Sequence, residues 1–118
     1  MKVIIVEDSD LLQKMLMKKL VEDNNNISIM QAFTCQEALE LFSSFNPDTV
    51  ILDIDLPDGS GIELLRKFKK DNSGVRVIMF TNYSAREFKR SCLKLGANLF
   101  IHKSNLNELI HAIRNYSN

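Results

Sequence analysis

The feature of this sequence that most constrains its fold is a regular alternation of short apolar runs with longer amphipathic segments. The apolar runs predict five strands, at 2–6, 27–33, 48–53, 75–81 and 98–102. The amphipathic segments predict five helices, at 9–23, 34–45, 60–71, 84–96 and 104–116. Strands that alternate with helices form parallel sheets, because each helix carries the chain back to the start of the next strand. The sequence therefore predicts an α/β fold, a doubly wound sheet with helices on both faces.

Several of the predicted helix boundaries carry capping signals. A serine or threonine followed three residues later by glutamate can satisfy the free N–H groups at the start of a helix. Such pairs stand at three predicted helix starts: Thr34 and Glu37, Ser60 and Glu63, and Ser84 and Glu87. Gly96 is the predicted stop of the fourth helix, because glycine readily adopts the left-handed conformation that ends many helices.

Composition narrows the class of protein. The chain has 118 residues, a length that suits one compact domain, and we expect residues 1–118 to form it. Its 15 basic and 15 acidic residues give a net charge of zero, which argues against non-specific nucleic-acid binding by this domain. No apolar run approaches the roughly 20 residues that span a bilayer, and Cys35 and Cys92 are not spaced as metal ligands. We therefore expect a cytoplasmic protein without membrane contact.

Polar residues collect where the predicted strands end. In a parallel α/β sheet the ligand site lies at the carboxyl ends of the strands. The residues found there are Glu7 and Asp8 after the first strand, Asp53 and Asp55 at the third, Thr81 at the fourth and Lys103 at the fifth. We expect these side chains to share one rim of the sheet.

This set of residues has the chemistry for phosphoryl transfer to a carboxylate. Carboxylates that share one rim repel one another, and a hard divalent cation such as Mg²⁺ or Mn²⁺ relieves that repulsion. A lysine supplies a positive charge for phosphoryl oxygens or for the free carboxylate, and a threonine hydroxyl can donate to a phosphoryl oxygen. The set therefore contains a nucleophile, a metal site and charge-neutralising donors.

Four stretches of the chain together resemble the receiver domains of two-component response regulators. They are VIIVEDS, PDTVILDIDLPDGSG, VIMFTN and GANLFIHKS, and the resemblance covers the whole chain. It implies the CheY-like, flavodoxin-like (βα)₅ fold, with strand order 2-1-3-4-5. The junction of Lys103 with Ser104 is similar to receivers of the LuxR or NarL type, which usually precede a DNA-binding domain.

The resemblance also assigns the acidic residues. It implies that Asp53 is the phosphoacceptor and that Glu7 and Asp8 are the acidic pair of a metal site, with Asp8 the more direct ligand. Asp53 itself and the backbone carbonyl of Asp55 complete the implied ligand set. Many receivers have two aspartates at the pair, so the glutamate here puts the outer carboxylate on a longer arm.

The remaining site residues follow from the same resemblance. Thr81 is implied as the hydroxyl that binds the phosphoryl group, and Lys103 as its charge partner. Phe100 matches the aromatic residue that switches conformation together with Thr81. Asn82 stands where a small residue is usual, and we expect its side chain to narrow access to Asp53.

The function that follows is a phosphorylation switch. We expect a histidine kinase or phosphotransfer protein to donate a phosphoryl group to Asp53 in a Mg²⁺-dependent reaction that shifts a conformational equilibrium. Such a domain catalyses its own phosphorylation and dephosphorylation but is not a turnover enzyme. The donor is expected on the first helix, near Leu11, Leu12 and Met15. A downstream protein or second copy is expected on the fourth helix, fifth strand and fifth helix, a face that carries Arg86, Lys89, Arg90 and Lys94.

Two other functions remain open on sequence grounds. The motif DID also fits the nucleophile motif of haloacid-dehalogenase-type phosphatases, with Asp53 as nucleophile and Asp55 as acid and base. In that family the motif typically lies near the N-terminus, whereas here other acids precede it. The second alternative is a vestigial receiver that acts only as an interaction module.

Overall fold

Short apolar runs form the strands of a central sheet, in a computed structural model that describes residues 1–24 and 26–116. The main strands are β1 (Lys2–Val6), β2 (Ser28–Ala32), β3 (Thr49–Leu52), β6 (Arg76–Thr81) and β7 (Leu99–His102). The helices are α1 (Asp10–Asp23), α2 (Cys35–Phe45), α3 (Gly61–Asp71), α4 (Arg86–Lys94) and α5 (Leu106–Tyr116). Between β3 and α3, two short strands, β4 (Asp55–Leu56) and β5 (Gly59–Ser60), form an antiparallel hairpin. The main elements agree with the predicted ranges to within two residues at each end.

The central sheet is parallel throughout, with strand order β2-β1-β3-β6-β7. With the two hairpin strands left out of the count, this is the predicted order 2-1-3-4-5, so the predicted fold class is confirmed. The chain first adds β2 on one side of β1 and then adds β3 on the other side. This reversal opens a crevice at the carboxyl ends of β1 and β3, where α/β proteins bind their ligands.

Helices cover both faces of the sheet. Successive residues of a strand point to opposite faces, so Val50 and Leu52 of β3 pack with α2 and α3, in a core that includes Phe68. Ile51 points the other way and packs with α1 and α5, in a core that includes Leu16. Burial on both faces explains why the strands are apolar along their whole length. None of the helices among the described residues combines the length and hydrophobicity of a bilayer-spanning segment.

Two of the three predicted helix starts have the predicted N-cap residue, Thr34 and Ser60. The Thr34 hydroxyl accepts a hydrogen bond from the N–H of Glu37, and the Ser60 hydroxyl accepts one from the N–H of Ile62. Gly96 lies just after α4 with a φ of 106°, in the left-handed region, so the predicted stop is confirmed.

The third predicted cap, the pair Ser84 and Glu87, is wrong. The N-cap residue of α4 is Ala85, which has an extended backbone and makes no side-chain capping bond. The ring of Tyr83 packs against the ring of Phe88, with centroids 4.6 Å apart. This contact accounts for the difference, because the chain must stay extended before the helix for the Tyr83 ring to fold back onto its first turn.

The segment after β3 returns tightly onto the end of that strand. The N–H of Gly61 donates a hydrogen bond of 2.7 Å to the carbonyl oxygen of Ile54. A Cβ atom on Gly61 would lie 1.9 Å from the carbonyl oxygen of Asp53, which is a backbone atom and cannot rotate away. Only glycine permits this approach, so the position of α3 relative to Asp53 depends on it.

We therefore predict that Gly61→Ala destabilises the domain by about 1–3 kcal/mol, the usual cost of overpacking a tight site. Chemical denaturation measures this free energy of unfolding. The control is Gly74→Ala, since the nearest atom to its added Cβ is the Asn72 side-chain oxygen at 3.4 Å. Gly74→Ala should be close to neutral, and an equal loss of stability in both variants would contradict the argument.

Candidate functional site

The pairing of β1 with β3 brings three carboxylates together. Val6 lies opposite Leu52 in the register of the two strands, so Glu7 and Asp53 leave the sheet side by side. The backbone N–H of Asp53 also donates to the carbonyl oxygen of Val6, at 3.1 Å. Glu7, Asp8 and Asp53 each offer a carboxylate oxygen, and these oxygens all lie within 4.8 Å of one another. The predicted acidic cluster is therefore formed.

A lysine bridges two of these acids. The Nζ atom of Lys103 lies 2.7 Å from Oε1 of Glu7 and 2.8 Å from Oδ2 of Asp53. The carboxylates are almost completely buried, with side-chain exposures of 4% for Glu7 and 5% for Asp53. The backbone N–H of Lys103 donates to the Thr81 carbonyl, which fixes the start of the lysine side chain. One ammonium group is thus shared between two buried carboxylates.

Burial and ion pairing have opposite effects on the pKa values of the groups in this bridge. Burial raises the pKa of Glu7 above the usual carboxyl value, while hydrogen bonds from Lys103 and from the Ser9 N–H work to lower it. Burial would lower the pKa of Lys103, but its hydrogen bonds and charge interactions with Asp53 and Glu7 outweigh that effect and raise it. The ammonium group therefore remains charged at neutral pH.

An open cavity of about 540 Å³ lies at the bridge. Its lining consists of Asp8, Asp53, Asp55, Leu56, Pro57, Thr81, Asn82, Tyr83 and Lys103. Glu7 is not part of this lining and contacts Lys103 instead. Asp8 and Asp55 are exposed to solvent, unlike Asp53. The cavity therefore has one buried carboxylate at its floor and two exposed ones at its edge.

Thr81 and Phe100 occupy the neighbouring strands. Thr81 is fully buried, and its hydroxyl oxygen accepts a hydrogen bond of 3.3 Å from the N–H of Tyr83. Phe100 is opposite Met79 on the adjacent strand and is half-buried against the core that α2 and α3 cover. Thr81 thus lines the cavity, and Phe100 lies on the strand beside it.

His102 joins the loops that follow β6 and β7, although the sequence alone indicates only a surface or packing position. Its Nδ1 atom accepts a hydrogen bond of 3.1 Å from the N–H of Ser104. The ring proton must then reside on Nε2, which lies 3.2 Å from the carbonyl oxygen of Asn82 and donates to it. The loop after Thr81 is thereby tied to the segment that carries Lys103.

Two further residues support the site, and the sequence patterns did not single them out. Gln13 is buried on α1 and hydrogen-bonds the carbonyl oxygen of Glu7. Gln13 lies three residues before the buried Leu16, a spacing that places it on the apolar face of α1. A polar residue on that face was the signal that could have identified it. Asp58 accepts hydrogen bonds from the first backbone N–H groups of α2, at 2.7 and 3.1 Å, and so joins the β4–β5 hairpin to that helix.

Comparison with known proteins identifies the family. The sequence model of the response regulator receiver domain matches residues 3–114. The chain therefore belongs to the response regulator receiver domain family. It is 30% identical over 102 residues to the chemotaxis protein CheY of Halobacterium salinarum, a match that covers 86% of this chain and 83% of that protein. A CheY-like receiver domain protein from Methanospirillum hungatei has the same fold, with a TM-score of 0.89, 28% identity and coverage of 98% and 91% of the two chains.

Other relatives are much longer proteins. The chain is 36% identical over 105 residues to a protein-glutamate methylesterase/protein-glutamine glutaminase of Clostridium acetobutylicum, covering 86% of this chain but 30% of that protein. It is 35% identical over 120 residues to a cyclic di-GMP phosphodiesterase of Thermotoga maritima, covering 98% of this chain but 32% of that protein. The chain thus spans about a third of these relatives, and the activities in their names do not transfer to it.

Proposed function

We propose that this receiver domain accepts a phosphoryl group on Asp53 from a histidine kinase or a phosphotransfer protein. The observation that carries the proposal is the bridge of Lys103 to a buried Asp53 at the floor of an open cavity. Oδ1 of Asp53 accepts a hydrogen bond of 2.7 Å from the N–H of Ile54, and Oδ2 accepts one from Lys103. A carboxylate held by both oxygens has one fixed orientation toward an incoming donor.

The transfer itself exchanges one bond for another. An oxygen of Asp53 forms a new bond to phosphorus, while the bond between phosphorus and the ring nitrogen of the donor's phosphohistidine breaks and the nitrogen keeps the electron pair. Lys103 offsets the negative charge that builds on the oxygens. The Thr81 hydroxyl oxygen already accepts from Tyr83, so its own proton is available to donate to a phosphoryl oxygen.

A divalent cation fits the charge balance of the site. The three carboxylates of Glu7, Asp8 and Asp53 and the one ammonium of Lys103 leave a formal charge of minus two. Carboxylate oxygens are the ligands that Mg²⁺ or Mn²⁺ prefers. We assign Asp8, Asp53 and the backbone carbonyl of Asp55 as ligands, with Glu7 as the outer member of the acidic pair. When bound, the ion supplies positive charge to the phosphoryl oxygens.

The two alternatives are less well supported. A metabolite phosphatase would need Asp55 as a proton donor and acceptor, but family membership points to a receiver instead. A vestigial module would have no need to bury the charges of Asp53 and Lys103, because buried charges are destabilising unless they are paired.

We further propose that residues 1–118 form one receiver domain, which acts in the cytoplasm and does not itself bind nucleic acid.

Asp53 should be the only phosphoacceptor. Treated with acetyl phosphate and Mg²⁺, the wild-type chain should gain about one phosphoryl group by intact mass, whereas Asp53→Asn should gain none because it lacks a nucleophilic oxygen anion. Asp58→Asn, a change to a neighbouring acid that caps α2, should still be labelled. Label on Asp53→Asn would refute the assignment. Repeated turnover of a phosphomonoester that depends on Asp55 would favour the phosphatase.

The donor's docking surface is proposed at the start of α1. Leu11 is 80% exposed and Met15 is 41% exposed, and Leu12 between them is half-buried. These apolar side chains lie on the helix that follows Asp8, and Asp8 lines the cavity. An apolar face beside a phosphorylation site suits a helical partner that must bring its phosphohistidine close to Asp53.

Charge substitutions on this surface should slow transfer from a protein donor and leave a small donor unaffected. We expect Leu11→Asp and Met15→Asp to lower the rate of transfer from a purified phosphotransfer protein by about tenfold or more, because they would bury an unpaired charge at the interface. Labelling by acetyl phosphate should not change. Val21→Asp is the matched control, since Val21 is 47% exposed at the far end of α1. Normal transfer to both α1 variants would exclude this docking surface.

The output surface is proposed on α4, β7 and α5, where a downstream protein or a second copy would bind. Arg86, Lys89, Arg90 and Leu93 line an exposed depression on α4. Phosphorylation would draw the Thr81 hydroxyl toward Asp53, and Phe100 would fill the vacated space. Because α4 follows the Thr81 loop, a change at Thr81 reaches this surface first.

Amide chemical shifts with and without beryllofluoride and Mg²⁺ test this route. We expect changes at Thr81 and Phe100 and across residues 84–116, because two states that differ by a few kcal/mol exchange populations when a ligand favours one of them. The Asp53→Asn protein is the control and should show none of these changes. Shifts confined to the loops around Asp53 would show that α4, β7 and α5 do not carry the signal.

A further inference from the structure

Gln13 is a fully buried amide beneath the acidic cluster, and the proposed reaction does not use it directly. Its Nε2 atom lies 2.9 Å from the carbonyl oxygen of Ile5, 3.1 Å from that of Glu7 and 2.9 Å from that of Ala32. These carbonyls belong to the carboxyl ends of β1 and β2. The side chain thus joins α1 to the part of the sheet that carries the site.

The amide controls the peptide group that links the two acids of the pair. The N–H of Glu7 donates to the Ala32 carbonyl, which fixes one side of Glu7. The carbonyl of Glu7 belongs to the peptide that joins it to Asp8, and Gln13 donates to that carbonyl. With both groups held, the directions in which the Glu7 and Asp8 side chains leave the backbone are fixed relative to each other.

The other end of Gln13 shows that packing alone does not explain the residue. Its Oε1 atom is buried and has no hydrogen-bond partner among residues 1–24 and 26–116. An unpaired buried carbonyl costs free energy, whereas methionine would fill a similar volume without that cost. What glutamine contributes is therefore its N–H donors, which face three carbonyl oxygens and which an apolar side chain lacks.

We infer that Gln13 is a positioning residue that sets the geometry of the cation site by holding the peptide between Glu7 and Asp8. The inference rests on the proposed function, because Asp8 is assigned there as a ligand of the cation and its placement relative to Glu7 would affect cation affinity. Gln13 keeps Glu7 against Lys103 and directs Asp8 to the edge of the cavity. Residues that orient metal ligands in this way typically change metal affinity by about 10–100-fold when replaced.

The test separates cation affinity from stability. The Mg²⁺ dissociation constant is measured by amide shifts of the loops after β1 and β3, in the full chain without a phosphoryl donor. Gln13→Met should raise it about tenfold or more. Leu20→Ala, which truncates a buried core residue near the other end of α1, should lower the unfolding midpoint and leave the dissociation constant within about twofold of the wild-type value. If Gln13→Met does not fold, Gln13→Asn, which keeps the amide but shortens its reach, should show the same rise.

The outcomes distinguish this inference from the proposed function. An unchanged dissociation constant in folded Gln13→Met or Gln13→Asn would overturn the positioning role and leave the proposed function standing. An equal rise in Leu20→Ala would also overturn it, because the effect would then follow stability. If the wild-type chain bound no Mg²⁺, the proposed function would fail, and the role of Gln13 would fail with it.

Discussion

The ion bridge from Lys103 to Glu7 and Asp53 is the interaction on which the rest of the site depends. Two carboxylates that leave adjacent strands at the same level repel each other, and burial strengthens that repulsion because little water screens it. The bridge compensates for both effects with a single ammonium group, whose Nζ lies within 2.8 Å of both acids. A buried charge that loses its partner is strongly destabilising. The register of β1 and β3 places Glu7 and Asp53 side by side, and Lys103 offsets the repulsion that this placement creates.

The backbone around Lys103 connects this bridge to the loop beyond Thr81. The Lys103 N–H donates to the Thr81 carbonyl, and the neighbouring His102 ring donates to the Asn82 carbonyl. The loop after β6 and the segment after β7 are thus joined by two hydrogen bonds, to the consecutive carbonyl oxygens of Thr81 and Asn82. The backbone positions of Lys103 and Thr81 are therefore coupled, since the Lys103 N–H donates to the Thr81 carbonyl. These bonds join the segment that carries Lys103 to the loop that leads into α4.

The sequence predicted the architecture well because hydrophobic periodicity reflects burial directly. Strands buried on both faces give apolar runs, and capping residues mark α2 and α3. The same local pattern failed at Ser84, because the start of α4 depends on a contact between Tyr83 and Phe88 that no capping rule contains. The contact between Lys103 and Glu7 was not predicted from the sequence, because it depends on how far the Lys103 side chain reaches from β7 past β6 and β3. The buried amide of Gln13 was missed because polar residues on an amphipathic helix usually face solvent.

The formal charge of the cluster explains why a phosphoryl group would have a large effect here. A phosphoryl group carries about −1.5 to −2 charges near neutral pH, and on Asp53 it would replace a single carboxylate charge. Lys103 has one positive charge to divide between that group and Glu7. As the ammonium moves toward the stronger charge, Glu7 loses part of its compensation, although the Ser9 N–H still donates to its other oxygen. A cation beside Asp8 would then offset the excess, while the Thr81 hydroxyl would supply a further donor. The residues that allow the acids to be buried thus also make the charge balance of the cluster sensitive to one added phosphoryl group. A two-state switch requires such sensitivity.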